Sequence, residues 1–348
     1  MSALIGKLQV GQDLNHGEIG QAINLLLSTK ADAAEKAALL RALHTKGESA
    51  EEIAGFVEQL IDRAIDPEID QAALPGPMID VCGSGGAGLG IFNVSTTIMF
   101  IVAAGGAVVV KHGNRRVTAC CGSADVIEAL GIRLEWPPEQ LRECIARTGM
   151  GFIFAPIYHP AFRALAAMRA QLGSPNTRTI FNLLGPLLNP ARPPRQLIGV
   201  YNPRMTGVFA DVLHHLQRKR AWIVHGLTET GAGMDDISIS GVTTLGELSN
   251  GKVSSAVIDC RWLGIPQASA EELRGGGDAA ENAKILTAIL SGEVHGAKRD
   301  LAVVNAGGAF VAAGLARDLG EGIWFAREQI DSGRALAKLR ALQEFSAA

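Results

Sequence analysis

One segment of the sequence limits the folds open to this chain. A short apolar strand ends at Val81, a loop containing five glycines follows, and a helix begins near Asn93. The glycines, at positions 83, 85, 86, 88 and 90, let the backbone approach a ligand closely and point its N–H groups inward. The N-terminus of the next helix adds further donors and the positive end of its dipole. This segment predicts a site for phosphate or diphosphate at the carboxyl end of a strand.

Strand-like and helix-like segments alternate beyond residue 75, which predicts a mostly parallel sheet with helices on both faces. Strands are predicted at residues 78–81, 107–111, 151–154, 197–201 and 221–225, and helices at 95–104, 124–130, 138–148 and 205–216. Ligands in such folds bind at the carboxyl ends of the strands. The loops after Val81, Lys111 and His225 are therefore expected around one opening.

Residues 1–75 are predicted to form a small helical domain. Ser49 with Glu52, and Asp32 with Glu35, have the spacing of capping boxes, and an apolar stripe of helical period follows Ser49. The Leu-Pro-Gly-Pro segment at 74–77 indicates a hinge. We therefore expect a helical domain at 1–75, joined by a helical segment near 170–195, and an α/β domain at 76–348. The remaining apolar faces of the small domain are a candidate dimer surface.

Composition narrows the classes of protein. The net charge of −3 and the pI of 6.3 argue against a protein whose main ligand is nucleic acid. No signal peptide is visible, and the longest apolar stretch, residues 98–110, is too short to span a membrane. Five cysteines occur without metal-like spacing, which favours free thiols in a reducing compartment. We expect a cytoplasmic protein with no membrane contact.

The glycine-rich loop has other interpretations. A turn that binds no ligand is one of them. A dinucleotide site is disfavoured because the second strand ends in Lys111-His-Gly-Asn-Arg115 and lacks the acidic residue that contacts a ribose. A Walker A loop is excluded because no Gly-Lys-Ser/Thr closes the segment.

Four motifs resemble the anthranilate phosphoribosyltransferase family of tryptophan biosynthesis. They are the loop 83–96, Lys-His-Gly-Asn-Arg at 111–115 with Gly-Ser-Ala-Asp at 122–125, His-Pro-Ala from 159 through Arg169, and Asn-Leu-Leu-Gly-Pro-Leu-Leu-Asn-Pro at 182–190. Residues 46–53 and 274–282 also resemble the family, so the similarity covers nearly the whole chain. It implies an α/β domain of the nucleoside phosphorylase and phosphoribosyltransferase type beside the helical domain, and a homodimer built on the latter.

The resemblance also implies a reaction and a site. The phosphoribosyl group of phosphoribosyl diphosphate would pass to the amine of anthranilate, with loss of diphosphate and help from Mg²⁺. The implied metal ligands are Ser95, Asp235 and Asp236, where this chain has Asp-Asp in place of the family's usual Asp-Glu. The implied catalytic residues are Lys111, whose ammonium can neutralise phosphate, and Arg169, whose planar fork suits the anthranilate carboxylate. The implied substrate contacts are Gly83, Ser84, Gly85, Gly86, Asn93, Val94, Ser95, Thr96, Lys111, His112, Gly113, Asn114, Arg115, Ser123 and Arg169.

Several positions depart from the family pattern on the donor side. Ala87 stands where the family has aspartate, Ile91 where it has threonine and Ala119 where it has serine, while Arg116 is a larger cation. The turn at 173–178 is longer than its family counterpart. Each lost hydrogen bond to a charged group is worth about 1.5–3 kcal/mol, so three losses would weaken donor binding by a factor on the order of 10³.

These departures keep a second hypothesis open, a diverged paralogue with a different aromatic acceptor or a binding protein without transferase activity. The acidic pI speaks against nucleic acid as its ligand, although Lys111, Arg115 and Arg116 offer a local basic patch. A third class, the pyrimidine nucleoside phosphorylases, ranks last because their Lys-His-Ser-Thr-Gly-Gly loop is absent.

Overall fold

The computed structural model describes residues 2–85, 88–115, 121–162 and 179–348. Four helices open the chain: α1 Ser2–Gln9, α2 His16–Leu27, α3 Ala33–Lys46 and α4 Ala50–Ile61. The predicted capping box at Ser49 is present, since Glu52 N donates to Ser49 Oγ at 3.3 Å and Ser49 N donates to Glu52 Oε2 at 3.0 Å. The one predicted at Asp32 is wrong. Asp32 occupies the N-cap of α3, but it is exposed and its carboxylate makes no capping bond, so water solvates it instead.

A mixed sheet of eight strands forms the centre of the larger part of the chain. Its strands are β1 Met78–Gly83, β2 Val108–Gly113, β3 Met150–Phe154, β4 Arg195–Gly199, β5 Arg220–Leu227, β6 Gly233–Met234, β7 Thr243–Ser249 and β8 Lys252–Ile258. The order is β3-β2-β1-β4-β5-β7-β8, with β6 also paired to β5. Strands β1 to β5 run parallel, and β6, β7 and β8 are antiparallel.

Helices cover both faces of this sheet. They are α5 Val94–Ala104, α6 Ser123–Ala129, α7 Pro138–Thr148, α8 Ala155–Tyr158, α9 Phe181–Leu184, α10 Arg204–His215, α11 Ala279–Leu290, α12 Ala297–Ala313, α13 Leu319–Asp331 and α14 Arg334–Ala347. The five predicted strands and the four predicted α/β helices are confirmed, with every end within two residues of its expected position. The antiparallel strands β6, β7 and β8 were not predicted.

The sheet separates two apolar cores. Leu197, Trp222 and Val224 belong to the core that contains α5 and α12. Their strand neighbours, such as Ile198 and Ile223, belong to the core that contains α2, α4, α9 and α10. Successive side chains of β4 and β5 point to opposite faces of the sheet. The helical bundle and residues 180–188 therefore pack against one of these faces. Within the described ranges, no helix has the length and apolar character needed to cross a membrane.

Candidate active site

The main cleft opens where the strand order reverses. From β1 the chain builds outward through β2 and β3 on one side and through β4 and β5 on the other. The loops after β1 and β4 therefore diverge and leave a crevice at the carboxyl edge of the sheet, the usual ligand site of open α/β folds. The cleft has a volume of about 680 Å³ and is lined by the loops that the sequence placed there, including Gly83, Lys111 and Asp235.

Hydrogen bonds hold the glycine-rich loop against β4 and against Asp235, which forms an acidic pair with Asp236. Ser84 N donates to Gly199 O at 2.8 Å, and Ser84 Oγ accepts from Tyr201 N at 3.1 Å. Gly85 N donates to Asp235 Oδ2 at 2.8 Å. A Cβ at Gly199 would lie 1.6 Å from the carbonyl oxygen of Asp235, so only glycine permits this approach. The Ser84 hydroxyl thus cross-links two loops of the cleft.

The acidic pair has the character of a cation site. Ser95, Asp235 and Asp236 line a second, smaller cavity of about 10 Å³ at the base of the cleft, about the size of one bound water. Burial raises the pKa of Asp236 well above its usual range, and the neighbouring Asp235 carboxylate raises it further, against the opposing effect of Lys111. Two close carboxylates and a hydroxyl form a hard oxygen donor set, which fits Mg²⁺.

Lys111 lies between the acidic pair and a buried carboxylate. Its side chain is 2% exposed, and Nζ donates to Val81 O at 2.6 Å and to Ser95 Oγ at 3.1 Å. Burial lowers the pKa of Lys111, while the charges of Asp80 and Asp236 oppose that shift. The ammonium therefore orients the Ser95 hydroxyl and supplies positive charge at the base of the cleft.

Asp80 is a site residue that sequence reasoning missed. It is fully buried on β1, where Oδ2 accepts from Asn189 Nδ2 at 3.0 Å and Oδ1 accepts from His112 N at 3.3 Å. Asn189 Nδ2 also donates to Val110 O at 2.8 Å. Burial raises the pKa of Asp80 to about 6, opposed mainly by Lys111. These contacts tie β1, the end of β2 and the 181–191 segment together. The sequence feature that could have identified Asp80 is a single carboxylate within an otherwise apolar strand.

Four rings form an aromatic wall on the other side of the cleft. The ring centroids of His112 and His159 are 5.3 Å apart, those of His159 and Phe162 are 5.1 Å apart, and those of Phe162 and Phe181 are 6.4 Å apart, all edge to face. His159 Nε2 donates to Leu188 O at 2.8 Å. Burial, then the neighbouring His159, lowers the pKa of His112 to about 3, and burial lowers that of His159 to about 4. Both rings are neutral near pH 7, and the wall suits a flat aromatic ligand.

Arg115 at the rim of the cleft is engaged by carboxylates. Its Nη1 lies 2.9 Å from Asp125 Oδ1 and 2.8 Å from Glu128 Oε2, and its Nη2 lies 2.8 Å from Glu128 Oε1. These contacts neutralise much of the charge that Arg115 presents to a ligand.

The structure brings most of the predicted site residues together. The cleft is lined by Gly83, Ser84, Gly85, Asn93, Val94, Ser95, Lys111, His112, Gly113, Asn114, Arg115, Ser123, Asp235 and Asp236. Thr96 is instead fully buried and does not line the cleft. Gly86 and Arg169 lie outside the described residues, as do Ala87, Arg116, Ala119 and the turn 173–178. Ile91 lines the cleft and pairs with Arg274 through an isolated antiparallel bridge.

A helical bundle lies beside an α/β domain in which two neighbouring aspartates stand under a glycine-rich loop, and this arrangement agrees with a class of transferases. The glycosyl transferase family matches in both parts, its helical bundle domain over residues 2–64 and its a/b domain over residues 75–336. The anthranilate phosphoribosyltransferase of Moorella thermoacetica is 41% identical over 342 residues, covering 98% of this chain and 97% of that protein. That of Desulfatibacillum aliphaticivorans is 43% identical over 345 residues, covering 99% and 98%. The chain belongs to the anthranilate phosphoribosyltransferase family.

Solved structures agree with this assignment. The crystal structure of anthranilate phosphoribosyltransferase from Thermus thermophilus has a TM-score of 0.89 at 36% identity, covering 99% of each chain. The Saccharomyces cerevisiae enzyme, in complex with PRPP and Mg, has a TM-score of 0.84 at 24% identity, covering 99% of this chain and 97% of that one. The similarity to the Saccharomyces cerevisiae enzyme supports the fold alone.

Proposed function

We propose that this chain transfers the phosphoribosyl group of phosphoribosyl diphosphate to the amine of anthranilate, releasing diphosphate. This is the step of tryptophan biosynthesis that its relatives are named for, and the chain is a pentosyltransferase in the same sense. One observation carries the proposal: a single cleft joins a glycine-rich loop, an acidic pair and an aromatic wall. The reaction needs these three parts, one each for a phosphorylated donor, a cation and a flat acceptor.

The donor lies along the glycine-rich loop. The start of α5 offers the phosphates the positive end of its dipole and the Ser95 N–H, while the N–H groups of Ser84, Gly85 and Val94 are used within the protein. Ser95, Asp235 and Asp236 would hold Mg²⁺, which would stabilise the negative charge that develops on the leaving diphosphate. Lys111 keeps the Ser95 hydroxyl oriented and adds a fixed positive charge nearby.

The acceptor lies against the aromatic wall. The rings of His112 and His159 are neutral, so they present uncharged faces and edges to the acceptor. Such a surface packs against an aromatic ring more favourably than a charged imidazolium does. Asn114 at the end of β2 accepts a hydrogen bond from the amine, and Arg169 remains the predicted partner of the carboxylate. The wall and the donor loop face one cleft, so the amine approaches the ribose without either substrate leaving its own contacts.

The departures at Ala87, Ile91 and Ala119 motivated the alternative of a paralogue without transferase activity. Ile91 has a structural role. Its backbone pairs with Arg274, and Gly275 N donates to Gly90 O at 2.8 Å, so these contacts close the glycine-rich loop. Relatives 41–43% identical over the whole chain do not favour the alternative. We retain the departures as a reason to expect weak donor affinity.

Several expectations belong to the same proposal. We propose a domain boundary near residue 75, a homodimer formed through the helical domain, and a cytoplasmic location. Val10, which follows α1, is the most exposed large aliphatic side chain among the described residues of the helical domain, at 70%, and is therefore the position chosen to test the dimer. Sedimentation of the wild-type chain and of Val10→Glu tests it, since a dimer that shifts to monomer in the variant is the expected result. A monomeric wild type contradicts it.

The transferase is tested by the loss of anthranilate fluorescence with phosphoribosyl diphosphate and Mg²⁺. We expect turnover by the wild type and by Asp331→Asn, a matched exposed aspartate outside the cleft. We expect little or none from Asp235→Asn. Absence of turnover at high enzyme and millimolar donor contradicts the proposed function.

A further inference from the structure

A chain of three polar side chains crosses the cleft between α11 and α5. Asn282 lies in the first turn of α11, Cys121 precedes α6, and Asn93 is the N-cap of α5. Asn282 Nδ2 lies 3.3 Å from Cys121 Sγ, and Cys121 Sγ lies 3.3 Å from Asn93 Oδ1. All three residues line the cleft. Sequence reasoning gave a role to Asn93 alone.

The backbone fixes the orientation of the Asn282 carboxamide. Its Nδ2 donates to Asp278 O at 2.7 Å and to Gly276 O at 3.1 Å, while its Oδ1 accepts from Gly276 N at 3.2 Å. Asn282 is 3% exposed, so solvent does not compete for these groups. Flipping the amide would set its oxygen against two carbonyl oxygens. The group that faces the Cys121 sulfur is therefore the amide nitrogen, whose two hydrogens lie mainly on the carbonyl oxygens of Asp278 and Gly276.

The orientation of Asn282 determines that of the thiol. A cysteine thiol has one hydrogen, which it donates weakly, and a sulfur that accepts weakly. The amide nitrogen of Asn282 cannot accept the thiol hydrogen, so that hydrogen is directed to Asn93 Oδ1. The carboxamide of Asn93 is thereby held with its oxygen toward the thiol and its Nδ2 donor turned away from it.

This arrangement diverts Asn93 from the usual task of an N-cap asparagine. Such a residue normally accepts hydrogen bonds from the first N–H groups of its helix. The Asn93 side chain makes no such bond. Those N–H groups of α5 therefore receive no competing acceptor from Asn93. Asn93 Nδ2, turned away from the thiol, is left to donate at the part of the cleft that Asn93 lines.

We propose that Asn282 and Cys121 are positioning residues that orient Asn93 to donate to the diphosphate-bearing substrate. The inference rests on the proposed function, because it requires an anionic donor in this cleft. With the carboxamide reversed, a carbonyl oxygen would face the phosphates and repel them. The thiol acts only through Asn93 and does not touch the reacting atoms.

The test is calorimetric titration of phosphoribosyl diphosphate, in the presence of Mg²⁺, into the full-length chain and its variants. Cys121→Ala removes the bond to Asn93, and we expect donor affinity to fall about tenfold, the effect of one lost hydrogen bond. Cys121→Ser keeps a donor and an acceptor at the same place, so we expect it to restore affinity to within about threefold. Cys260→Ala removes a thiol buried outside the cleft and is the matched control, with unchanged affinity expected.

A double variant separates positioning from general structural damage. If Cys121 acts through Asn93, Cys121→Ala adds no further loss of donor affinity in an Asn93→Ala background. The KM for anthranilate is expected to stay the same in Cys121→Ala, while the KM for the donor rises.

Three outcomes overturn the inference. Donor affinity of Cys121→Ala equal to that of the wild type removes the role of the thiol. An equal loss in the Asn93→Ala background shows that the effect does not pass through Asn93. Failure of the wild-type chain to bind the donor removes the inference together with the proposed function, whereas the first two outcomes leave that function intact.

Discussion

Asp236→Asn is expected to make the metal-free protein more stable and the liganded protein less stable. The Asp236 carboxyl lies beside Asp235, and its pKa is raised by burial and then by that neighbour. Each pKa unit by which folding raises a carboxyl corresponds to about 1.4 kcal/mol of lost stability once the carboxyl is ionised. Because the residue is only partly buried, we expect its replacement by a neutral amide to gain about 1 kcal/mol in EDTA. For a chain of this length, that gain corresponds to a rise in Tm of about 2 °C.

The sign reverses when Mg²⁺ and phosphoribosyl diphosphate are present. Ligand at 100 times its Kd stabilises the wild type by about 2.7 kcal/mol, and the variant loses most of that stabilisation because a metal ligand is missing. The advantage of the variant in EDTA grows as the pH rises above the ordinary carboxyl pKa. A carboxyl whose pKa is raised on folding makes the folded state less stable as the pH rises above its ordinary value.

Thermal unfolding of the wild type, Asp236→Asn and Asp235→Asn, each in EDTA and in saturating ligand, measures both effects. Asp235→Asn is the matched control, because Asp235 Oδ2 accepts from Gly85 N at 2.8 Å and its neutralisation weakens that bond. We expect no gain in stability from it. A lower Tm for Asp236→Asn in EDTA, or a ligand-induced shift equal to that of the wild type, refutes the reasoning.

Three further results are expected. Gly113→Ala places a Cβ 2.4 Å from Ser123 Oγ and 2.6 Å from Phe152 Cζ, so chemical denaturation should show a loss of about 1–3 kcal/mol; unchanged stability contradicts the close packing. Asn189→Ala leaves the buried Asp80 carboxylate short of a donor and should cost about 2–4 kcal/mol in the same assay, while a loss below about 1 kcal/mol rules out that anchoring role. Since the pKa of His112 is lowered to about 3, pH–rate profiles of the wild type and His112→Asn should have the same shape between pH 6 and pH 8; an inflection present only in the wild type refutes a neutral His112.

Local sequence patterns predicted the strands and helix starts that are determined by nearby residues. Short apolar runs predicted the parallel strands, and Ser49 marked a helix start that the structure contains. The antiparallel hairpin of β7 and β8 was missed although its signal was present. Asn250 and Gly251 both have positive φ, 51° and 70°, as an Asn-Gly hairpin turn requires. The polar, exposed composition of β8 hid the strand pattern.

The site residues that belong to recognisable sequence motifs could be predicted. The glycine-rich loop and Lys111 were found because each stands at the end of an apolar strand. Asp80, Asn189 and Asn282 were missed, because their importance comes from partners far away in sequence. Asn189 is 109 residues from Asp80 along the chain, and Asn282 is 161 residues from Cys121. Only the strand order and the packing of the helices bring such groups together, and no local pattern encodes either.

Coupled transfer within the cleft is tested most directly by product analysis. The wild-type chain is incubated with phosphoribosyl diphosphate, anthranilate and Mg²⁺, and both products are quantified by mass spectrometry and a diphosphate assay. We predict phosphoribosylanthranilate and diphosphate in equal amounts, with neither formed when anthranilate is omitted. Diphosphate release that does not depend on anthranilate, or no product at all, contradicts the account.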